Sequence, residues 1–132
     1  MGLGEIIWKA TGGSTMYCAL AITGQEPSQT DDLHYGDFVE LAAGSGYTTG
    51  GAAMTLINAS VPSSHQITFD AADTLIGTAC SFTARYAIPY KQTTSYPLWS
   101  YHDFGSTAGA GGNYTIVWNS GGVSQITVAA GA

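Results

Sequence analysis

Short runs of alternating apolar and polar residues, separated by glycine-rich or polar turns, are the feature that most restricts how this chain can fold. In residues 66–70 the alternation places Ile67 and Phe69 on one side, and residues 82–88 alternate in the same way. Successive side chains of a β-strand point to opposite faces of a sheet, so this pattern predicts strands with one buried face. The 3.6-residue period of an amphipathic helix is nearly absent, and the sequence therefore predicts an all-β protein.

The same pattern, bounded by turn signals, gives a map of the strands. Strands are predicted in residues 5–10, 16–23, 54–61, 66–70, 82–88, 98–104, 114–119 and 123–128. Residues 38–41 are read as a short edge strand or one helical turn. Loops are predicted in residues 24–36, 44–51 and 105–112, where glycine and small polar residues collect.

Three strands carry more specific expectations. Residues 16–23 are apolar on both faces, which predicts a central strand that is covered on both sides. Residues 114–119 and 123–128 flank an Asn-Ser-Gly-Gly turn, which predicts a β-hairpin. Residues 82–88 are expected to direct a row of side chains inward and Thr83 and Arg85 outward; the inward row is Phe82, Ala84, Tyr86 and Ile88.

The length of the chain sets the number of domains. Its 132 residues, 45% of them hydrophobic, suffice for one domain over residues 1–132 with a real core. About eight short strands in one domain indicate a sandwich or a barrel. The expected architecture is a single-domain antiparallel β-sandwich that is jelly-roll-like.

The charge balance excludes several classes of function. The formal net charge is −6, and Lys9, Arg85 and Lys91 are the only lysines and arginines. Nucleic-acid binding and electrostatic membrane anchoring both need clustered basic residues, so neither partner is expected. No apolar run reaches the roughly 18 residues of a membrane helix, and the N-terminus lacks the pattern of a secretion signal. We therefore expect assembly in the cytoplasm.

The two cysteines, Cys18 and Cys80, are expected to be buried, reduced thiols. A disulfide is the alternative if their two strands face each other. Two lone cysteines at this separation do not make a zinc site.

Candidate catalytic and metal-binding groups each have an ordinary structural explanation. His34 follows Asp31 and Asp32 in a polar loop, but no established metal-binding spacing is present. His102 and Asp103 are neighbours on one predicted strand, so their side chains should point to opposite faces and not form a general-base pair. Asp70 and Asp73 lie in a turn, where aspartate is common. We expect no catalytic residue, no metal and no cofactor.

Aromatic residues are the remaining candidates for a functional surface, because tyrosine and tryptophan are favoured at interfaces. The candidate interface consists of Tyr35, Tyr47, Tyr90, Tyr96, Trp99 and Tyr101. Trp99 and Tyr101 are expected to share one strand face, whereas Trp118 alternates with Ile116 and should belong to the core. The alternative use of such rings is stacking on a sugar.

A series of motifs in the C-terminal half adds a resemblance. The motifs are Ile67-Thr-Phe-Asp-Ala-Ala, Phe82-Thr-Ala-Arg-Tyr-Ala-Ile-Pro-Tyr-Lys, Pro97-Leu-Trp-Ser-Tyr-His-Asp-Phe-Gly and Asn113-Tyr-Thr-Ile-Val-Trp-Asn-Ser-Gly-Gly-Val. Met16-Tyr-Cys-Ala-Leu-Ala-Ile-Thr, Asp32-Leu and Gly46-Tyr-Thr-Thr-Gly-Gly precede them. In order and spacing, over most of residues 5–128, they resemble a family of small structural proteins of tailed bacteriophages.

The resemblance implies a β-sandwich virion protein with no catalytic residue to carry over. Pro89 departs from the pattern, since an apolar β-residue is expected there. Proline cannot donate a hydrogen bond to a neighbouring strand, so the strand should end or lie at a sheet edge at that point.

These observations lead to two hypotheses and a weaker third. The first is a non-enzymatic capsid or head-surface (decoration) protein that acts in the virion through contacts with other virion proteins. It would be a homo-oligomer, with a homotrimer as the form that suits the threefold sites of a capsid. The second is a tail-associated receptor- or carbohydrate-binding module. The third is a small β-sandwich enzyme or metal-dependent module.

Overall fold

The computed structural model describes residues 11–28, 34–60, 66–92, 97–118 and 124–127. Within this part of the chain the secondary structure consists of β-strands and one short 3-10 turn at Tyr35–Asp37, which confirms the all-β class. The strands are β1 (Met16–Ala21), β2 (Ala52–Ala53), β3 (Leu56–Ser60), β4 (Gln66–Ala71), β5 (Thr74–Gly77), β6 (Thr83–Lys91), β7 (His102–Ala108), β8 (Tyr114–Ile116) and β9 (Ser124–Thr127). The strand predicted in residues 5–10 lies outside the described residues.

The strands pair into three antiparallel sheets. A four-stranded sheet has the order β2-β1-β6-β7, a three-stranded sheet the order β3-β4-β9, and a two-stranded sheet pairs β5 with β8. No helix in the described ranges is long and apolar enough to cross a membrane. The antiparallel arrangement agrees with the predicted class, and the jelly-roll connectivity stays a prediction.

Strand β1 is the centre of the four-stranded sheet. It lies between β2 and β6, and five of its six residues are buried. Met16, Cys18 and Leu20 enter one apolar cluster, while Ala19 and Ala21 enter another on the opposite face. Both faces of β1 are thus covered by packed apolar side chains, as the apolar residues on both sides of the strand predict.

The larger cluster joins the sheets into sandwich-like layers. On one face of the four-stranded sheet, Met16 and Leu20 pack in a cluster with Leu56 of β3, Ile76 of β5 and Ile116 of β8. Each of these side chains is almost completely removed from water. Burial of a large aliphatic side chain stabilises a fold by roughly 1.5–3 kcal/mol, so this shared cluster holds the three sheets together.

The two cysteines belong to the larger cluster. Cys18 and Cys80 are buried and free, so the structure has the reduced thiols expected from the sequence and not the alternative disulfide. Burial raises the pKa of Cys18 to about 12, against a small opposing effect of a backbone hydrogen bond at Ile88. Because the thiolate is the reactive form, Cys18 is chemically inert in the folded protein.

The predicted C-terminal hairpin is wrong. Strand β8 pairs with β5, with Leu75 opposite Thr115, and β9 pairs with β4, with Ile67 opposite Ile126. A turn sequence such as Asn-Ser-Gly-Gly favours a reversal of the chain direction, but it does not determine which strand each flanking segment pairs with. Here the pairing with β5 places Tyr114 and Ile116 in the large cluster beside Ile76.

Three other boundaries differ from the sequence map. Strand β7 is displaced toward the C-terminus, so that residues 105–108 of the predicted loop are strand while Leu98 forms only an isolated bridge with Tyr90. Strand β5 begins where the sequence indicates only a turn. Residues 38–41 are neither strand nor helix, although Leu41 N donates to the carbonyl oxygen of Leu20 at 2.8 Å.

A bulge splits the predicted inward row of β6. The register against β7 shifts between Ala84 and Tyr86. As a result Phe82 and Ala84 pack in the larger cluster, whereas Tyr86 and Ile88 pack on the opposite face of the sheet. Between these two pairs β6 advances by two residues and β7 by four, so the extra residues of the bulge belong to β7. An irregularity of the partner strand leaves no mark on the period-2 pattern of β6 itself.

Strand β6 continues through Pro89 to Lys91, so the expected end of the strand is wrong. The regular ladder with β7 stops at Ala87, opposite His102. The Pro89 carbonyl oxygen accepts from Trp99 N at 2.8 Å on that side. The backbone nitrogen and oxygen of a strand residue point the same way, so the Pro89 nitrogen, which has no hydrogen, faces residues 97–99, whose pairing with β6 is reduced to an isolated bridge. Because β6 lies between β1 and β7, the predicted position at a sheet edge is not found either.

A glycine-rich corner brings residues 44–51 against β1. Gly51 has φ +76°, and a Cβ atom placed there would overlap the carbonyl oxygen of Cys18. Both the left-handed backbone and the close approach to β1 therefore require glycine at this position.

Gly51→Ala should destabilise the protein by about 3 kcal/mol or more, because steric overlap with β1 adds to backbone strain. Gly12→Ala is the matched control: Gly12 has φ +72°, but no neighbouring atom lies within 4 Å of the place that a Cβ atom would take. It should cost only the strain, about 1–2 kcal/mol. Urea unfolding of both variants measures the difference, and equal losses would contradict the close-packing explanation.

Candidate functional site

The His102–Asp103 pair does not form a catalytic unit. His102 Nε2 lies 2.9 Å from Ser100 Oγ, and its ring packs edge-on against Trp118 with centroids 5.3 Å apart. Asp103 instead forms a bidentate pair with Arg85, with both N–O distances 2.9 Å. The two side chains thus have separate partners, as their adjacent positions in one strand require.

These surroundings shift two pKa values in the same direction for different reasons. Burial lowers the pKa of His102 and so favours the neutral ring. The Arg85 guanidinium lowers the pKa of the Asp103 carboxyl, with help from the backbone N–H of Gly105. Both groups therefore act as structural partners of their neighbours at neutral pH.

The other polar candidates also have local structural contacts. The backbone N–H of His34 donates to Asp37 Oδ2 at 2.9 Å at the start of the 3-10 turn. Asp70 accepts from Ala71 N at 2.8 Å, and Asp73 accepts from Trp118 N at 3.3 Å. In the described residues no three histidine, cysteine or acidic side chains are grouped so as to hold a metal ion; Asp31 and Asp32 lie outside them.

A polar network around Glu40 fastens the glycine-rich corner to the sheet. The Glu40 carboxylate accepts from the hydroxyls of Tyr35 and Tyr47, the latter at 2.6 Å, and from Gly50 N at 2.6 Å. Tyr47 in turn accepts from Leu20 N in β1 at 3.0 Å. Burial, together with the hydrogen bond to Glu40, raises the pKa of Tyr47, so its hydroxyl stays protonated as a donor.

The predicted interface residues separate into distinct environments. Tyr47 and Tyr90 are buried inside the chain and offer little side-chain area to a second molecule. Tyr35 stacks on Tyr90 with ring centroids 4.7 Å apart. Tyr96 lies outside the described residues.

Trp99 and Tyr101 do not share a surface. Trp99 packs against the larger cluster and meets Phe69 edge-on, whereas Tyr101 packs on the opposite face of the sheet. The expected common strand face is wrong because residues 99–101 precede β7 and are not part of a regular strand. A flat sugar-stacking platform from this pair is therefore not formed.

Tyr101 instead belongs to a small charged and aromatic group on the surface. Its hydroxyl donates to Glu26 at 2.8 Å, and its ring meets Tyr86 at an interplanar angle of 71°. The Arg85 guanidinium lies 5.5 Å from the centre of the Tyr86 ring. These contacts tie the loop that contains Glu26 to the outer face of the four-stranded sheet.

An exposed apolar surface lies elsewhere, on the outer face of the β5–β8 sheet; Ile22, Val39 and Ile57 are exposed at other places. Leu75 is 47% exposed and Val117, directly after β8, is 71% exposed. Thr115 is paired with Leu75 and is exposed with it. We call this the β5–β8 face, defined by Leu75, Thr115 and Val117.

A groove of about 380 Å³ adjoins this face. It runs between the end of β7 and strand β8, and it has no charged side chain in its lining. The lining residues are Phe104, Thr107, Ala108, Gly109, Ala110, Asn113, Tyr114, Thr115, Ile116 and Val117. We call it the β7–β8 groove.

Sequence reasoning missed both features because each depends on which strands pair. The one available signal was Val117: if Ile116 and Trp118 face the core, the residue between them faces outward. Leu75 could be placed only once Thr74–Gly77 was known to be a strand.

No protein-family model matches the chain, and no curated protein or solved structure matches it either.

Replacing Glu40 by glutamine should lower the free energy of unfolding by about 1–3 kcal/mol, because charge-assisted hydrogen bonds are lost and a new N–H₂ group faces donors. Glu26→Gln is the matched control, since Glu26 is exposed and has one hydrogen bond to Tyr101. It should change stability by less than about 0.5 kcal/mol. Equal effects in chemical denaturation would show that the Glu40 network adds nothing to stability.

His102 should make the folded state less stable in mild acid. Its pKa is lowered in the folded protein, so below the ordinary value of about 6.5 the unfolded chain binds the proton more readily. The stability that the neutral His102 ring contributes to the folded state is fully present above a pH of about 6.5 and is lost as the pH falls toward the lower pKa of the folded state. His102→Gln should flatten the dependence of the free energy of unfolding on pH between about 7 and 5. An unchanged slope in His102→Gln would refute this assignment.

Proposed function

We propose that this chain is a non-enzymatic building block of a virion, a head-surface component of a tailed bacteriophage that acts through protein–protein contacts. The proposal rests on the resemblance of its ordered motifs to small phage structural proteins and on its surface. The observation that carries it is the β5–β8 face, where Val117 is 71% exposed beside Leu75 at 47%. Adjacent exposed apolar side chains mark contact surfaces more often than isolated ones do.

The charge distribution favours contact between copies of the chain. Each copy carries a formal charge of −6, so two copies repel each other wherever their acidic residues approach. The lining of the groove and the three residues that define the β5–β8 face are uncharged, and the neighbouring carboxylate of Asp73 accepts from Trp118 N. Self-association through this surface would bury apolar area at a place where few charged groups lie, which supports a homo-oligomer.

The polar side chains support a contact role over a chemical one. His102, Asp103 and Glu40 are engaged with Ser100, Arg85 and two tyrosines respectively, in contacts that hold the fold together. A virion component of this kind would assemble in the host cytoplasm and bind other capsid or tail proteins as well as its own copies.

Val117→Asp should weaken self-association at least tenfold, because a carboxylate loses its hydration when the β5–β8 face is covered. Val39→Asp is the matched control: Val39 is 60% exposed but lies away from this face, in the segment after the 3-10 turn. Native mass spectrometry and light scattering should show an oligomer for the wild type and Val39→Asp and a shift toward monomer for Val117→Asp. A wild-type chain that remains monomeric at its highest soluble concentration, and does not bind phage heads, would refute the proposed function.

A further inference from the structure

The exposed Val117 lies just beyond the regular pairing of its strand. The β5–β8 ladder ends with Thr74 opposite Ile116, so in the described part of the chain no strand pairing holds Val117 in the β5–β8 face. Its position depends instead on the next residue, since Trp118 N donates to Asp73 Oδ1 at 3.3 Å and Trp118 Nε1 donates to Thr74 Oγ1 at 3.1 Å. Trp118 is therefore the anchor that fixes Val117 on the surface.

His102 of β7 supports this anchor from the four-stranded sheet. The rings of His102 and Trp118 meet at an interplanar angle of 71°, with centroids 5.3 Å apart. The Ser100 hydroxyl lies 2.9 Å from His102 Nε2, and Ala87, opposite His102 in β6, carries no charge. A neutral imidazole suits this place, because its ring packs on an aromatic neighbour and its nitrogen has a hydroxyl partner.

The charged groups on the neighbouring elements are engaged with other partners. Asp103, the next residue in β7, pairs with Arg85, and Asp73 accepts from Trp118 N. Among the described residues burial is the one cause that lowers the pKa of His102, so no carboxylate offsets the hydration that an imidazolium ion would lose there. The charged ring is hydrated only if it moves away from Trp118 toward water.

The two protonation states of His102 therefore favour different arrangements of Trp118. The neutral ring is stable in the closed arrangement that the structure shows, whereas an exposed ring binds the proton more readily because its pKa is the ordinary one. The closed arrangement is favoured above a pH of about 6.5 and loses this advantage as the pH falls toward the lower pKa of the packed ring. The proton shifts the equilibrium by this difference in affinity.

We propose that His102 and Trp118 form a pH-sensitive switch, which holds Val117 in position for self-association at neutral pH and releases it in mild acid. This inference rests on the proposed function and adds the regulation of its contact surface, the β5–β8 face. When Trp118 is anchored, a second copy meets a fixed apolar surface. When it is released, association must also bear the entropic cost of ordering Val117, so acid weakens the oligomer.

The net charge of the chain predicts the opposite response to acid, which makes the test sensitive to the switch. Each copy has a formal charge of −6, and protonation of histidines makes this charge less negative as the pH falls. Weaker repulsion between copies strengthens their association. A weakening of the oligomer in mild acid therefore requires a local cause that outweighs the change in net charge.

Analytical ultracentrifugation of the full-length chain tests the switch. The dissociation constant of the wild-type oligomer should rise about threefold or more between a pH of about 7.5 and a pH of about 5.5. His102→Gln is neutral at both values, so its oligomer should stay equally tight or become tighter in acid. His102→Phe also lacks a titrating group and keeps an aromatic ring beside Trp118; it replaces the glutamine variant if that variant does not fold.

A second measurement follows the anchor itself in dilute wild-type protein. The indole N–H signal of Trp118 in ¹H–¹⁵N spectra, assigned with Trp118→Phe, should move with falling pH toward the position of a solvent-exposed indole. It should follow the titration of His102 and stay in place in His102→Gln.

The outcomes separate the switch from the proposed function. A wild-type oligomer that is equally tight or tighter in acid, or that weakens to the same extent in His102→Gln, would overturn the switch and leave the proposed function standing. An indole signal of Trp118 that does not move would do the same. A wild-type chain that is monomeric at both pH values would overturn the switch, and the proposed function with it if the chain does not bind phage heads.

Discussion

Burial of β1 on both faces is the constraint on which the rest of the structure depends. One face contributes Met16, Cys18 and Leu20 to the cluster that unites the three sheets, and the other supports the tyrosine-rich outer layer. A strand covered on both sides needs a neighbour on each edge and a layer over each face, since its side chains cannot be left in water. The small Ala19 and Ala21 allow the outer layer to approach closely.

Two features hold the glycine-rich corner of residues 44–51 over β1: the close approach of its backbone to the strand, and the hydrogen bonds of the Glu40 carboxylate. Gly51 brings the glycine-rich corner directly against β1, and Glu40 collects donors from Tyr35, Tyr47 and Gly50. A carboxylate with several donors is stable in a partly buried site because each hydrogen bond replaces one to water. Tyr35 and Tyr47, two of the residues predicted to form an interface, are thus hydrogen-bonded within the chain. The contact surface that we propose is therefore the β5–β8 face.

Prediction from the sequence succeeded where one local property decided the outcome. The all-β class and the two-sided cover of β1 follow from side-chain period and polarity. The outward direction of Val117 could also have been inferred from its neighbours. The β7–β8 groove could not, because it exists only where β8 leaves its sequence neighbour and pairs with β5, a partner separated from it by β6 and β7.

The sequence by itself determined the class of fold, the buried, reduced cysteines and the separation of His102 from Asp103, since each depends on polarity or on alternation along one strand. Only the tertiary structure decided which strands pair, where the β6–β7 register shifts and which aromatic rings reach the surface. Pairing is chosen by the burial gained across the whole core. The shift in the β6–β7 register between Ala84 and Tyr86 accompanies a change of face, since Phe82 and Ala84 pack on one side of the sheet and Tyr86 and Ile88 on the other. Such choices depend on residues far apart in the chain, so local patterns do not record them.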